Sequence, residues 1–288
     1  MNVLIEDESK KNKRLKIFYI GILAVCAIAI IAAVIIQIVK VNTSSGDVSK
    51  LPQLTEDQKS QHKEEFYSIF ENKVNYLENN SYKINKIESN KEIVYLGYQN
   101  NDSKINDYEL KVNIPYININ NPIIEEFNTQ IKDTFEKKAK SIINTQNNNA
   151  IYTVDYTAYI ANNIMSLVVR STLKEGTNAQ RDIIQTYNYD LTNQKEYTID
   201  DMLNAKGITK KEANQKIKEE IRTQQEKSEE LEKLGYTMYK RDYTSDMYSI
   251  NNVTEYFMGK DNALYIIYAY GNENNTNEMD VVISLTLI

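Results

Sequence analysis

The chain has 288 residues, a net charge of −6 and a single cysteine, Cys26. A chain of this length can bury a core without disulfide bonds, and its acidic balance, with no Lys/Arg-dense face after residue 40, argues against nucleic-acid binding. The one histidine, His62, leaves no zinc site of several His or Cys ligands and lies in no Ser-His-Asp motif. The sequence has no glycine-rich phosphate loop, so we expect no cofactor and no enzymatic activity.

The segment of residues 17–39 contains no charged side chain. As a helix, these roughly 23 residues would be about 35 Å long, which is enough to cross a hydrocarbon core of about 30 Å. A cleavable signal peptide has an apolar run of about 7–15 residues before the small residues of its cleavage site. This run continues to Lys40 without such a site. We therefore predict a transmembrane helix that contacts the lipid bilayer through residues 17–39.

Charges on either side of this segment predict its orientation. Basic side chains that flank a membrane helix stay on the cytoplasmic side. Residues 1–16 are therefore predicted to be a cytoplasmic tail, residues 40–54 a stalk, and the remainder an extracellular domain at the cell membrane. Two α+β parts, residues 55–175 and 176–288, are predicted in that domain, and their composition is typical of a Gram-positive bacterium. The basic residues of the tail are Lys10, Lys11, Lys13, Arg14 and Lys16.

The first half of the outer domain carries both helix and strand signals. Thr55, with Gln58 three residues later, predicts a capped helix over residues 55–78, where apolar side chains recur at helical spacing. Asn121 followed by Pro122 predicts the start of a second helix, which runs to about residue 143. Alternating apolar and polar residues predict strands between these helices. The predicted strands cover residues 82–87, 93–98 and 108–114.

The second half is richer in strand signals. Asn162 and Asn163 predict a tight turn between two strands. Thr198 is the predicted cap of a short helix, and Thr209 opens a long charged helix that ends at Leu234. Short links favour antiparallel pairing, so the predicted class is α+β, with antiparallel sheets and packed helices. The strands predicted here cover residues 151–161, 164–173, 183–191, 253–258, 263–270 and 281–288.

Tyrosine is abundant, with 22 copies, and four tyrosines follow the long helix. Tyrosine is enriched at binding surfaces because it buries a large area at low entropic cost. It is also an ordinary core residue, and this alternative stays open. We predict that the four form a partner-binding surface: Tyr236, Tyr239, Tyr243 and Tyr248.

Acidic pairs allow a different hypothesis, in which the domain is a carboxylate-dependent glycan hydrolase. Asp200 and Asp201 are adjacent at the start of the short helix. Carboxylates in the first turn of a helix usually cap it and complement its dipole, and this interpretation is favoured here. Glu229 and Glu230 on the long helix are expected to form part of a solvated face.

Three stretches of the outer domain resemble a known family. Residues 110–115 and 121–128 form a strand ending in Ile114 and Pro115, a short loop, and a helix carrying Phe127 and Asn128. Residues 187–203 are similar to a strand with Asp-Leu, a turn, and a Lys-Glu step into a helix, and residues 257–268 resemble the closing strands. The family is the extracytoplasmic region of the anti-sigma-V factor, which also occurs at the N-terminus of some peptidoglycan deacetylases.

The resemblance implies a non-enzymatic, membrane-anchored binding or sensing protein of the cell envelope. Its expected ligand is lysozyme, peptidoglycan or another envelope protein. An anti-sigma-type regulator released by proteolysis is the alternative that the same family suggests. Against it, the predicted cytoplasmic tail of about 16 residues is too short to fold as a helical sigma-binding unit by itself.

Overall fold

The computed structural model divides into two compact units, Met1–Leu51 and Pro52–Ile288. It describes residue 66 and residues 68–77, 84–145, 149–178, 180–236, 238, 240–260, 263–271 and 277–285, all in the second unit. The predicted tail, transmembrane helix and stalk lie outside these residues, as do His62 and Cys26. Among the helices of the described residues, none has the length and apolar character that a membrane span requires.

The described residues form strands and helices in an α+β arrangement, as predicted. The strands are β1 (Lys73–Tyr76), β2 (Val94–Lys104), β3 (Tyr108–Ile117), β4 (Ala150–Ala161), β5 (Ile164–Glu175), β6 (Arg181–Asp190), β7 (Lys195–Glu196), β8 (Glu255–Met258), β9 (Leu264–Gly271) and β10 (Asn277–Leu285). The helices are α1 (Pro122–Ile131), which continues through a π-helical turn (Lys132–Glu136) into α2 (Lys137–Asn144), then α3 (Ile199–Ala205) and α4 (Lys210–Lys233). Two 3₁₀ turns, Asp246–Tyr248 and Ile250–Asn252, precede β8.

Strands β1 to β7 form a large sheet in the order β2-β3-β4-β5-β6-β7. The pairs β4–β5 and β5–β6 are antiparallel, as their short links predicted. The prediction of purely antiparallel sheets is wrong for this sheet, because β3–β4 and β1–β4 are parallel pairs. Strands β3 and β4 can run in parallel because the long α1–α2 helix connects them. The boundary predicted at residues 175 and 176 falls in the hairpin between β5 and β6, within one sheet.

Strand β1 corrects the first predicted helix. Residues 73–76 lie in the range expected to be helical, yet they pair in parallel with Thr157 to Ile160 of β4. Strand β3 pairs with β4 only as far as Val154, so the rest of that edge of β4 is open to β1. Asn72 has a left-handed backbone (φ 55°) directly before the first residue of β1. Its side-chain amide donates to Asp155 Oδ1 of β4 at 2.7 Å. The backbone hydrogen bonds that residues 73–76 form at the open edge of the sheet therefore outweigh their helical spacing of apolar residues.

Two other strand predictions also need correction. Residues 84–87 of the predicted strand 82–87 form no strand; instead the buried Asn118 side chain binds the loop that follows them. Its amide donates to the carbonyl of Glu88 at 2.7 Å and accepts from the Glu88 N–H at 2.8 Å. Strand β3 continues past Pro115 to Ile117, because Pro115 lies at the irregular register between Leu96 and Tyr98 of β2.

The large sheet is covered on both faces. Along β5, Met165, Leu167 and Val169 point to the side of α1 and α2, where they join the largest core cluster. Val168 points to the opposite side and joins Phe257, Tyr265 and other residues of the small sheet. This alternation is the period of two expected of a strand buried on both faces. The small sheet has the order β10-β9-β8.

Helix α4 packs on the far side of the small sheet. Ala213, Ile217 and Ile221 are buried against Leu264 and Ile266 of β9. The four layers are therefore α1–α2, the large sheet, the small sheet and α4. The buried apolar stripe of α4 ends at Ile221, and farther along the helix Leu231 and Leu234 are 39% and 74% exposed. Gln225 and Ser228 are the buried residues at that end of α4.

Edge strand β8 of the small sheet bonds to side chains on the face of the large sheet. Ser166 Oγ accepts the N–H of Met258 at 3.1 Å, and Thr186 Oγ1 accepts the N–H of Tyr256 at 3.0 Å. Asn188 Nδ2 donates to the carbonyl of Tyr256 at 2.7 Å. These hydroxyl and amide groups therefore satisfy backbone groups that an edge strand would otherwise leave unpaired.

Candidate ligand-binding cleft

A cleft of about 390 Å³ lies where the junction of the two sheets reaches the surface. Its walls come from Leu77 directly after β1, the β4–β5 turn and the adjoining strand ends, Tyr197 two residues before α3, the second half of α3, and the end of β8. Such a volume falls in the range of small-molecule sites, about 300–1,000 Å³. We refer to it as the α3 cleft. The residues that carry its chemistry are Leu77, Asn162, Tyr197, Met202, Lys206 and Met258.

The β4–β5 turn forms one rim of the α3 cleft. Asn162 and Asn163 have φ values of 51° and 61°, the left-handed conformations that a two-residue hairpin turn requires. The carbonyl of Asn163 accepts the N–H of Leu191 at 2.8 Å, which ties the turn to the end of β6. The predicted turn is therefore confirmed, and its backbone is held in place beside the cleft.

The end of α3 fixes Lys206 at the opposite rim. Gly207 has φ 67°, and its N–H donates to the carbonyl of Asn204 at 3.0 Å while the Ile208 N–H donates to Leu203 at 2.9 Å. These are the two bonds of a Schellman motif, which ends a helix at a defined residue. Burial lowers the pKa of the Lys206 amine. The side chain is half-buried beside the apolar Met202.

Gly259 lies at the lip of the cleft, directly after β8. A Cβ atom at this position would lie 2.5 Å from Cε2 of Tyr265. Because that distance is far below contact distance, the position accepts only glycine without a shift of the ring. The close approach brings the chain over Tyr265, which belongs to the core between the two sheets.

The lining of the cleft combines apolar walls with few polar groups. Of the described residues that line it, Lys206 is the one with a charged side chain. The Tyr197 hydroxyl donates to the Asp201 carbonyl at 3.3 Å, and burial raises the pKa of that phenol. Such a lining suits a small ligand with a largely apolar body and few polar groups. Sequence patterns did not identify Lys206, since a lysine before a glycine at a helix end is a common C-terminal signal.

The tyrosines of the predicted binding surface differ in exposure. Tyr236 and Tyr243 are 62% and 40% exposed, whereas Tyr248 is 1% exposed. Tyr248 packs in the core with its ring centroid 5.5 Å from that of Tyr268. Tyr239 lies outside the described residues. The surface at Tyr236 and Tyr243 stays a prediction, and Tyr248 belongs to the core alternative.

Arg241 holds the segment between the two exposed tyrosines against α4. Its N–H donates to Gln225 Oε1 at 2.5 Å, and its guanidinium donates to Ser228 Oγ at 2.9 Å. The arginine is 8% exposed. A fixed backbone therefore supports Tyr243, which reduces the entropic cost of any contact it makes.

The acidic pair at the start of α3 has the capping geometry that the sequence favoured. Asp201 Oδ2 accepts the N–H of Thr198 at 3.0 Å, and the Thr198 hydroxyl accepts the N–H of Asp201 at 3.1 Å. The Thr198 bonds and the nearby Lys195 lower the pKa of Asp201. Asp200 forms an exposed ion pair with Lys210 at 2.8 Å. On α4, Glu229 accepts from the Gln225 amide at 2.9 Å, and Glu230 is exposed.

The motifs behind the family resemblance form structural links. Asn128 bonds to the backbone of Ile117 in both directions. Asp190 accepts the N–H groups of Thr192 and Asn193 and so closes the turn after β6. Asn128 also borders a second cavity of about 390 Å³ beside α1, together with Tyr116 and Lys132.

Two solved structures of DUF3298 family proteins are similar to this chain. The protein from Pseudomonas aeruginosa PAO1 is 9% identical with a TM-score of 0.36, and the match covers 68% of this chain and 86% of that one. The protein from Bacteroides fragilis NCTC 9343 is 13% identical with a TM-score of 0.28, covering 61% and 81%. No protein-family model and no curated protein matches the sequence. The resemblance to the anti-sigma-V ectodomain stays a prediction.

Proposed function

We propose that this chain is a membrane-anchored protein of the bacterial cell envelope that binds a ligand outside the membrane and does not transform it. The uncharged segment of residues 17–39, with its basic N-terminal flank, supports the anchor and the orientation. The outer domain then faces the cell wall. The proposed localisation is the cell membrane, with the C-terminal domain extracellular.

The observation that carries the binding function is the α3 cleft. It is a concavity whose rims are fixed by a hairpin turn and a Schellman motif. Hydrolysis of a glycan by the usual mechanism requires two acidic side chains, and the described lining of this cleft contributes none. Binding is therefore the function that its chemistry supports best.

Peptidoglycan suits this cleft better than lysozyme does. Peptidoglycan carries short, flexible glycan and peptide segments that can enter a narrow cleft with apolar walls and few polar groups. Lysozyme is a basic protein, so it would need an acidic surface elsewhere on the domain. The exposed tyrosines at positions 236 and 243 are the predicted contact for such a protein partner.

Direct binding of the full-length chain in lipid nanodiscs tests the proposal. Purified peptidoglycan and lysozyme are added separately at about 0.15 M salt and again at higher salt. At about 0.15 M salt, interactions between exposed charges more than about 8 Å apart are largely screened, and this distance becomes shorter at higher salt. We expect salt-tolerant binding of peptidoglycan. Empty nanodiscs serve as the control for adsorption. Absence of binding to both ligands would contradict the proposed function.

A further inference from the structure

The cavity of about 390 Å³ beside α1 shares no lining residue with the α3 cleft. We refer to it as the α1 cavity. Its walls are the start of α1, the segment between β3 and α1, and the loop before β2. Asn118 exchanges two hydrogen bonds with the backbone of Glu88 in that loop, and the Asn120 N–H donates to the Asn85 carbonyl at 2.8 Å. Asn128 ties α1 to the end of β3. These bonds hold the backbone of all three walls, which reduces the entropic cost of binding a ligand there.

An aromatic ring borders the α1 cavity. Tyr116 is half-buried, and its hydroxyl donates to Glu136 Oε2 at 2.8 Å. One face of the ring lies on Gly97, where a Cβ atom would be 2.4 Å from Cγ of Tyr116. Gly97 therefore covers that face and leaves the opposite face of the ring for the cavity. The face of an aromatic ring carries partial negative charge and attracts polarised C–H groups.

The polar side chains of the α1 cavity fall into two groups. Those of Asn120, Glu125 and Lys132 form no hydrogen bond or ion pair with any residue that the structure describes. Glu125 and Lys132 lie on the same side of the helix, two turns or about 10 Å apart along its axis. The carboxylate only accepts hydrogen bonds, the amine only donates them, and the amide does both. The polar side chains of the lining that are already hydrogen-bonded are Asn121, Asn128 and Thr129.

A sugar ring matches this combination of groups. A pyranose presents C–H groups on its face and hydroxyls around its edge, and each hydroxyl both donates and accepts. It therefore bonds to a carboxylate and an amine together without carrying a charge itself. A zwitterionic dipeptide would pair with the same two charges, but it has no flat C–H face to place on Tyr116. The aromatic wall thus favours the sugar.

We infer that the α1 cavity binds one pyranose ring of a glycan, with a C–H face on Tyr116 and ring hydroxyls bonded to Asn120, Glu125 and Lys132. This inference goes beyond the proposed function, because it assigns a second site with its own ligand class. It does not depend on what the α3 cleft binds.

The test measures binding of three small probes to the full-length chain in nanodiscs by saturation-transfer difference NMR. The probes are the trisaccharide of β-1,4-linked N-acetylglucosamine, sorbitol and alanyl-alanine. We expect the trisaccharide to bind at least about tenfold more tightly than sorbitol, which has hydroxyls but no ring face, and to show its strongest signals at ring C–H protons. Empty nanodiscs are the control. This comparison uses the unmodified protein, so it does not depend on any variant folding.

Four variants assign the effect to residues. Glu125→Gln keeps the shape and removes the charge, and it is expected to lower the affinity for the trisaccharide about tenfold. Glu126→Gln makes the same change at the next position of α1, which is exposed and outside the described lining, and it should leave binding unchanged. Tyr116→Phe keeps the ring and should retain binding. Tyr116→Leu removes the ring and should lower the affinity about three- to tenfold, with circular dichroism as the check on folding.

Equal binding of the trisaccharide and sorbitol, or unchanged binding in Glu125→Gln, would overturn the inference. Tighter binding of alanyl-alanine than of the trisaccharide would overturn the sugar assignment in favour of a peptide. If the chain binds peptidoglycan or lysozyme but not the trisaccharide, the inference fails and the proposed function stands. If the trisaccharide binds and Glu125→Gln weakens it, whereas neither peptidoglycan nor lysozyme binds, the inference stands and the proposed function fails.

Discussion

The side-chain amide of Asn128 forms two hydrogen bonds with the backbone of Ile117. Its Oδ1 accepts the Ile117 N–H and its Nδ2 donates to the Ile117 carbonyl, both at 2.8 Å. Ile117 is the last residue of β3, beyond the point where β4 pairs with that strand. A side chain from α1 therefore takes the place of a neighbouring strand and joins the helix to the sheet.

Replacing Asn128 should destabilise the fold. Asn128→Ala leaves the N–H and carbonyl of the buried Ile117 without partners, and we expect the free energy of unfolding to fall by about 1–3 kcal/mol. Urea denaturation followed by circular dichroism measures the change. Asn144→Ala, at an exposed position on α2, is the matched control and should change stability by less than about 0.5 kcal/mol. Equal stability of the two variants would contradict this role for Asn128.

Gly97 and Tyr116 should show coupled energetics. A Cβ atom at position 97 would lie 2.4 Å from Cγ of Tyr116, so Gly97→Ala is expected to cost about 1–3 kcal/mol by overpacking. In a Tyr116→Ala background the ring is gone, and Gly97→Ala should become neutral or stabilise by up to about 1 kcal/mol through reduced chain entropy in the unfolded state. A double-mutant cycle measures the coupling. An equal cost in both backgrounds would exclude the ring as the cause.

Glu255 should make stability depend on pH. Its Oε2 accepts the N–H and the hydroxyl of Thr186, at 2.6 and 3.0 Å, but burial outweighs these bonds and raises the pKa of the carboxyl to about 7. The folded state therefore holds the proton more tightly than the unfolded chain, whose carboxyl has a pKa of about 4.5. This contribution to stability is fully present below pH 4.5 and is lost as the pH rises through about 7, at a cost of at most about 3 kcal/mol.

Glu255→Gln tests this pH dependence. The amide cannot ionise, so we expect a smaller decrease in stability between about pH 4.5 and pH 7 and a variant at least as stable as the wild type above pH 7. Urea denaturation at several pH values measures it. Glu230→Gln changes an exposed carboxylate and should keep the wild-type pH profile. The same profile in both variants would mean that another group causes the dependence.

The carboxylates at the start of α3 should differ in their effect on stability. Asp201→Ala removes the capping box with Thr198 and is expected to cost about 1 kcal/mol. Asp200→Ala removes an exposed ion pair and should cost about 0–1 kcal/mol. Because the pKa of Asp201 is lowered in the fold, its contribution is present at neutral pH and is lost as the pH falls through the acidic range. Thermal denaturation at neutral and acidic pH distinguishes the two; the reverse order would refute the capping role.

The three described tyrosines of the predicted surface should separate into two classes. Tyr248→Ala empties a core site and is expected to cost about 3–5 kcal/mol. Tyr236→Ser and Tyr243→Ser change exposed side chains and should alter stability by less than about 0.5 kcal/mol while weakening the binding of a protein partner. Urea denaturation and binding to lysozyme measure the two effects. Full retention of partner binding in the double serine variant would refute the predicted surface.

Sequence patterns predicted the elements whose signals are local. The Asn121 cap, the Thr198 and Thr209 capping boxes and the Asn162 turn all occur where expected. Each depends on bonds between residues at most four positions apart, so the sequence contains the whole interaction. The antiparallel order of β4, β5 and β6 follows equally from short links.

Long-range contacts decided the rest. Residues 73–76 had helical spacing, but the open edge of β4, about 80 residues away along the chain, makes them a strand. No local sequence pattern distinguishes Tyr248 from the exposed Tyr236 and Tyr243, but packing against α4 and β9 buries it. The α3 cleft joins Leu77, Asn162, Lys206 and Met258 from four separate segments. The sequence by itself determined the caps, turns and strand alternation, because these depend on neighbouring residues. Only the tertiary structure decided which side chains share the core and the cleft, because those contacts form between segments that no local pattern connects.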